Sequence, residues 1–92
     1  MQTKYLLKLE MDKLKRQQDD VLMCEKSYYS AMELYNTSLH IKNDKVLHKT
    51  LFTRMEDARS RWWKSIDKKM DIEQNIKVLE KQLVKDVMEE TK

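Results

Sequence analysis

The sequence predicts an all-α fold, two long helices in an antiparallel hairpin of the coiled-coil type, from three observations. The 92 residues contain no glycine and no proline, whereas average usage would give about eleven. In two stretches, mostly apolar residues recur at spacings that alternate between three and four positions. This is the 3.5-residue repeat of coiled coils. A short cluster of turn-forming residues separates these stretches.

The first helix is predicted over about residues 3–40. Its apolar stripe is interrupted by two polar residues, Gln18 and Glu25, and runs through Leu7, Met11, Leu14, Gln18, Val21, Glu25, Tyr28, Met32, Tyr35 and Leu39. Ala31 and Leu34 widen the stripe, which favours packing against more than one neighbour.

The second helix is predicted over about residues 44–90. Its stripe runs through Leu51, Met55, Ala58, Trp62, Ser65, Lys69, Ile72, Ile76, Leu79 and Leu83. At the polar positions Ser65 and Lys69, an adjacent stripe of Trp63, Ile66 and Met70 takes over, so the apolar surface shifts around the helix there.

A turn is predicted within residues 36–45, and the whole chain, 1–92, is expected to form a single helical domain. Asn43 or Asp44 can cap a helix that begins near Lys45 by accepting hydrogen bonds from its first free amides. One unbroken helix is the alternative, because Leu39, Ile41 and Val46 leave no wholly polar gap.

A partner chain is expected to complete the fold. Two helices bury only one stripe each, which barely offsets the entropy of ordering the chain. Because the second helix is the longer one, Leu79, Leu83 and Val87 are expected to project beyond the first helix without cover. A homodimer forming a four-helix bundle, or docking into a larger hetero-assembly, would cover them.

The function that this pattern favours is a non-catalytic interaction protein, a scaffold or adaptor subunit that packs against other protein helices. The expected protein interface comprises Leu7, Met11, Leu14, Val21, Tyr28, Met32, Trp62, Ile72, Ile76, Leu79, Leu83 and Val87.

Contact with nucleic acid or an anionic membrane is the rival hypothesis. Basic residues interleaved with aromatic rings can hold a phosphate backbone and stack on bases. The candidate anion-contact residues around the Arg59 to Lys69 stretch are Arg54, Arg59, Arg61, Trp63, Lys64 and Lys68. Trp62 lies on the predicted stripe and is expected in the core, whereas Trp63 is the freer ring. The net charge is only +3, which weakens this hypothesis.

The sequence predicts no catalytic residue, cofactor, metal site or small-molecule substrate. Long helices offer few concave pockets for acid-base chemistry. Cys24 is the single cysteine and the two histidines, His40 and His48, are better read as solvated or capping residues. The absence of a long apolar run leads us to expect an intracellular protein, cytoplasmic or nuclear.

At the level of architecture, a long two-helix chain with a wide apolar face resembles the stalk proteins of flagellar and type III export ATPases and coiled-coil adaptor subunits. The Ser27 to Leu39 stretch is also faintly similar to helices of MIT and tetratricopeptide domains. The first resemblance implies a third function, a helical stalk or chaperone-like subunit that regulates an ATPase or secretion assembly. No residue role follows from either resemblance.

Overall fold

The computed structural model describes residues 2–90, which form two antiparallel helices. Helix α1 spans Gln2–Ser38 and helix α2 spans Lys45–Glu90. The predicted helical hairpin is confirmed, and the alternative of one unbroken helix is wrong. The Cα atoms extend over 76 × 14 × 14 Å, so the hairpin is a rod two helices wide.

The turn lies between Ser38 and Lys45 and needs no glycine. Asn43 adopts the left-handed conformation, with φ of 69°, which asparagine tolerates better than most residues. Asp44 then caps α2, because its side-chain Oδ1 accepts a 3.0 Å hydrogen bond from the Leu47 amide.

His48 ties the beginning of α2 to the end of α1. Its Nε2 lies 2.6 Å from the main-chain oxygen of Ser38, and because a carbonyl can only accept, Nε2 carries the proton. The Ser38 hydroxyl donates a hydrogen bond to the carbonyl of Tyr35 at 2.6 Å. With 2% of its surface exposed, Ser38 is the most buried of residues 2–90.

The two helices end almost level at the open end of the hairpin. The Thr3 hydroxyl donates a 2.7 Å hydrogen bond to Asp86, so α1 reaches the last turns of α2. The expectation that Leu79 and Leu83 project without cover is therefore wrong, and both are half-buried. Part of the extra length of α2 lies before His48, beside the turn, and part lies after Asp86. Little of α2 therefore projects beyond α1.

The contact between the helices, here called the seam, follows the predicted stripe in α2 but departs from it in α1. Half of the α1 positions agree, Leu7, Leu14, Val21, Tyr28 and Tyr35, whereas the others are displaced by one residue to Glu10, Gln17, Cys24, Ala31 and Ser38. Large residues thus alternate with small or hydrogen-bonding ones. Gln17 is buried rather than Gln18 because its amide reaches the Ser65 carbonyl of α2, 2.8 Å away.

The core of the hairpin is thin. Ile72 and Ile76 are the only apolar side chains among residues 2–90 that are buried, and both are 8–9% exposed. The other apolar seam residues are half-buried. Eighteen large apolar side chains among residues 2–90 therefore remain exposed in the isolated hairpin.

Candidate protein-interaction surface

Aromatic rings fill the middle of the seam. Tyr28 stacks on Trp62 with ring centroids 5.5 Å apart, and Tyr29 approaches the same indole at 6.0 Å. Tyr35 meets Phe52 at 5.4 Å nearer the turn. These contacts place Trp62 in the seam, as the periodicity predicted, and leave Trp63 53% exposed.

The residue after each seam residue points to one side of the rod. On a helix, successive residues are rotated by about 100°, and the two helices are antiparallel, so positions that follow a seam residue lie on the same side in both. Apolar side chains occupy ten of these positions, which we call the apolar face: Met11, Leu22, Tyr29, Met32, Leu39, Phe52, Trp63, Ile66, Met70 and Val84.

The apolar face is accessible over most of its length. Eight of its ten members are large side chains between 44% and 61% exposed, and the other two, Met32 and Ile66, are half-buried. The opposite face, formed by positions that precede a seam residue, carries half as many exposed or half-buried apolar residues: Leu6, Leu9, Met23, Leu34 and Val78. Large exposed apolar patches on soluble proteins usually mark binding surfaces.

The structure uses most of the predicted interface residues within the hairpin itself. Met11 and Val87 are exposed and Met32 is half-buried on the apolar face. The remaining nine lie in the seam, where they contact the other helix of the same chain: Leu7, Leu14, Val21, Tyr28, Trp62, Ile72, Ile76, Leu79 and Leu83.

Sequence reasoning gave Trp63 only as an anion contact and missed seven other residues of the apolar face as members of an interface: Leu22, Tyr29, Leu39, Phe52, Ile66, Met70 and Val84. Each of them directly follows a seam residue. That offset is visible in the sequence, but it identifies one face only after the seam has been assigned to the correct positions.

The candidate anion-contact residues do not form one surface. Arg59 lies 4.3 Å from the Trp63 ring centroid and 3.8 Å from Glu56, on the apolar face. Lys64 precedes the seam residue Ser65 but lies at the outer edge of α2, where it lines a shallow groove with Glu56 and Asp67. The other three cations, Arg54, Arg61 and Lys68, precede seam residues and belong to the opposite face.

The opposite face brings Lys68 together with two cations of α1 that the sequence did not indicate. Lys13 and Arg16 of α1 line a groove with Lys68 of α2. Glu10 borders the same groove and binds Lys13 at 2.9 Å, so part of this positive charge is neutralised. Arg61 faces Asp20 across the seam in the neighbouring groove.

One carboxylate at the open end is specifically stabilised. The Thr3 hydroxyl and then the Gln82 amide donate hydrogen bonds to Asp86, and they hold its pKa below the usual value of 3.8. These bonds favour the charged carboxylate. The bond from Thr3 joins the ends of the two helices, whereas the bond from Gln82 lies within α2.

Among residues 2–90, no group of three or more histidine, cysteine or acidic side chains could hold a metal ion. None of the helices in this part of the chain is long and apolar enough to cross a membrane. The grooves described above are open along the rod and are lined by side chains of regular helices.

Comparison with protein-family models, with curated proteins and with solved structures finds no match for this chain.

Proposed function

We propose that the protein is a non-catalytic interaction module, a scaffold or adaptor subunit that docks partner helices on its apolar face. The observation that carries this proposal is the row of exposed apolar residues along one side of the rod, with Leu22, Tyr29, Trp63 and Met70 in its middle. A helix that lies in the shallow trough between α1 and α2 would extend the packing that the seam begins.

The residue types of this face suit protein recognition. Tyrosine, tryptophan and methionine are enriched at the centre of protein interfaces, and methionine adapts its shape to the partner. The Trp63 ring is held by the Arg59 guanidinium on one side, so less side-chain entropy is lost when it becomes buried.

The proposal includes no catalytic step. Catalysis needs titratable groups held together in a concave site that excludes water. The grooves of this rod are open to solvent, and their carboxylates, such as Glu56 and Asp67, lie beside cations on the helix surface.

Affinity capture tests the proposed function. Tagged wild-type chain, a face variant with Leu22→Glu and Trp63→Glu, and a control with Met23→Glu and Val78→Glu on the opposite face would be expressed in the same cells. Captured proteins would be quantified by mass spectrometry, and circular dichroism would establish that all three chains remain helical.

We expect to capture one or more proteins that bind the wild type and the control but not the face variant. The same difference in binding should be reproduced with purified components. Buried carboxylates on the apolar face would remove this binding because their desolvation is uncompensated. An identical set of captured proteins for all three chains would contradict the proposal.

Binding to a polyanion through the opposite face is the second candidate, and the groove formed by Lys13, Arg16 and Lys68 favours it. It requires binding to RNA, DNA or anionic vesicles that weakens steeply with salt. Arg16→Glu with Lys68→Glu should then abolish binding, whereas no binding by the wild type at low salt would remove this candidate.

A further inference from the structure

We propose that the apolar face is covered by a second copy of this chain, in a parallel dimer that forms a four-helix bundle. The twofold axis would run along the rod, so that α1 of each copy packs on α2 of the other. This inference rests on the proposed function, because it names the occupant of the same face.

The accessible surface of the hairpin is far larger than a chain of this size exposes when it is compact. It amounts to 7650 Å² for a mass of 11.2 kDa, whereas a compact monomer of that mass exposes roughly 5,700 Å². The excess of roughly 2,000 Å² is more than twice the roughly 800 Å² that each partner contributes to a standard interface. One further layer of two helices would bury an area of this order.

The apolar face is complementary to itself in the parallel arrangement. Thr3 is level with Asp86, Tyr28 with Trp62, and Ser38 with His48. By interpolation, Leu22 of one copy would meet the Ile66 region of the other. Tyr29 would meet Trp63 and Arg59, and Leu39 would approach Phe52. Apolar residues thus face apolar residues at Leu22, Tyr29 and Leu39, as an isologous interface requires, whereas Met11 is level with Lys77 and Met32 with Glu56.

The charges that continue the face toward the open end select the parallel arrangement. On this side α1 carries Lys8 and Lys15, and at the same levels α2 carries Glu80 and Glu73. Lys77 lies between the two glutamates, level with the uncharged Met11. Packing α1 on the α2 of a parallel copy joins these opposite charges. An antiparallel copy centred on the apolar face would instead place Lys15 near Leu39 of the other α1, where the face has no carboxylate.

The mass of the purified chain in solution tests the dimer. Light scattering coupled to size-exclusion chromatography, repeated over a range of concentrations, should give twice the chain mass of 11.2 kDa. The face variant with Leu22→Glu and Trp63→Glu should be monomeric, and the control with Met23→Glu and Val78→Glu should remain dimeric. A monomeric wild type, or a control that dissociates while the face variant does not, would overturn the inference.

If the face variant loses its helical circular dichroism signal, a milder substitution tests the dimer instead. Met70→Gln places one amide on the same face and should weaken dimerisation about tenfold in sedimentation equilibrium. The matched control, Met23→Gln on the opposite face, should leave the dissociation constant unchanged. Equal dissociation constants for these two variants would overturn the assignment of the face.

Chemical cross-linking tests the orientation in a Cys24→Ser background. One chain would carry Lys15→Cys, a differently tagged chain would carry Glu73→Cys, and a short bismaleimide would be added after the two are mixed. The parallel dimer predicts a cross-link between the two tags. A cross-link instead between Glu73→Cys and Lys49→Cys chains would overturn the parallel arrangement, because that pair meets only in the antiparallel one.

The dimer and the proposed function fail separately. If the wild type is monomeric but a captured protein is lost specifically from the face variant, the second-copy inference falls and the interaction function stands. If the wild type is dimeric through this face and no other protein is captured, the inference stands and the adaptor role falls.

Discussion

The side-chain amide of Gln17 donates a 2.8 Å hydrogen bond to the main-chain carbonyl of Ser65, across the seam. Gln17 is only 7% exposed and Ser65 only 5%. A serine at this position leaves room for the long Gln17 side chain to reach the backbone of α2. The hydroxyl of Ser65 donates a 2.6 Å hydrogen bond to the main-chain carbonyl of Trp62, within its own helix. Together with the Thr3 to Asp86 and His48 to Ser38 hydrogen bonds, the Gln17 contact joins α1 to α2 at a defined register.

We expect Gln17→Ala to lower the free energy of unfolding by about 1 to 2 kcal/mol, since it removes a buried hydrogen bond and leaves a small void. Gln17→Leu should remain close to wild type, because the Ser65 carbonyl keeps its bond within α2 and the volume is restored. Urea unfolding followed by circular dichroism compares the two. Equal losses for both variants would mean that the hydrogen bond itself carries the stability.

Trp62 is expected to act through its ring and not through its indole nitrogen. Its Nε1 is buried and makes no hydrogen bond within the described residues, whereas its ring stacks on Tyr28. Trp62→Ala should therefore lower the free energy of unfolding by about 2 to 3 kcal/mol, somewhat less than a fully buried tryptophan. Trp62→Phe, which keeps a ring and removes the unpaired donor, should cost less than half as much in thermal or urea unfolding. A loss as large for Phe as for Ala would contradict this role.

Asp44 is expected to stabilise the start of α2 as its N-cap. Asp44→Ala should lower the free energy of unfolding by about 1 kcal/mol, because the Leu47 amide loses its acceptor. Asp44→Ser supplies another oxygen at the same place and is the matched control. Should Asp44→Ser unfold as readily as Asp44→Ala, the capping bond would not be the cause.

Asn43 is expected to be sensitive to branching at Cβ. Its φ of 69° is a conformation that costs about 1 to 2 kcal/mol for most residues. Asn43→Val should therefore destabilise the hairpin by an amount of this size, whereas Asn43→Gly should be neutral or slightly stabilising. Melting temperatures of the two variants provide the measurement, and similar values would show that the turn tolerates either.

The Thr3 to Asp86 bond gives a pH prediction. The pKa of Asp86 is lowered, chiefly by the Thr3 hydroxyl, so the bond stabilises the folded state at neutral pH and is lost as the pH falls below 3.8. Thr3→Val should raise the pKa of Asp86 toward its usual value, as measured from the carboxyl ¹³C shift. An unchanged titration midpoint would exclude this hydroxyl as the cause. The difference in stability between wild type and Thr3→Val should shrink in acid.

The sequence alone was enough to predict the helices and the position of the turn region, because those depend on local propensity and on capping residues such as Asp44. It also predicted the α2 stripe through Ile72 and Ile76, where apolar residues keep the repeat without ambiguity. The α1 seam was harder. Met11 is more apolar than Glu10, and Leu39 is more apolar than Ser38, so hydropathy favoured the wrong member of these pairs. It could not choose between Gln17 and Gln18, which are the same residue type.

The candidate interface could not be predicted for the same reason. Leu22, Tyr29 and Trp63 become an exposed face only when their preceding neighbours are known to occupy the seam. The division of the cations between two faces, with Arg59 on one and Arg61 on the other, likewise depends on the register. Spacing along the chain placed these arginines together, but a rotation of about 200° around the helix separates them.

The deepest apolar burial, at Ile72 and Ile76, lies in the half of the rod that is remote from the turn. Its counterpart in α1, around Leu14 and Gln17, is more than fifty residues away along the chain, so a long loop must close before this part of the seam forms. Once formed, this contact holds the two helices together at a second place, in addition to the turn. Native-state hydrogen exchange should accordingly show the backbone amides near Ile72 and Ile76 protected as strongly as those beside the turn, and the amides of the last helical residues should exchange first.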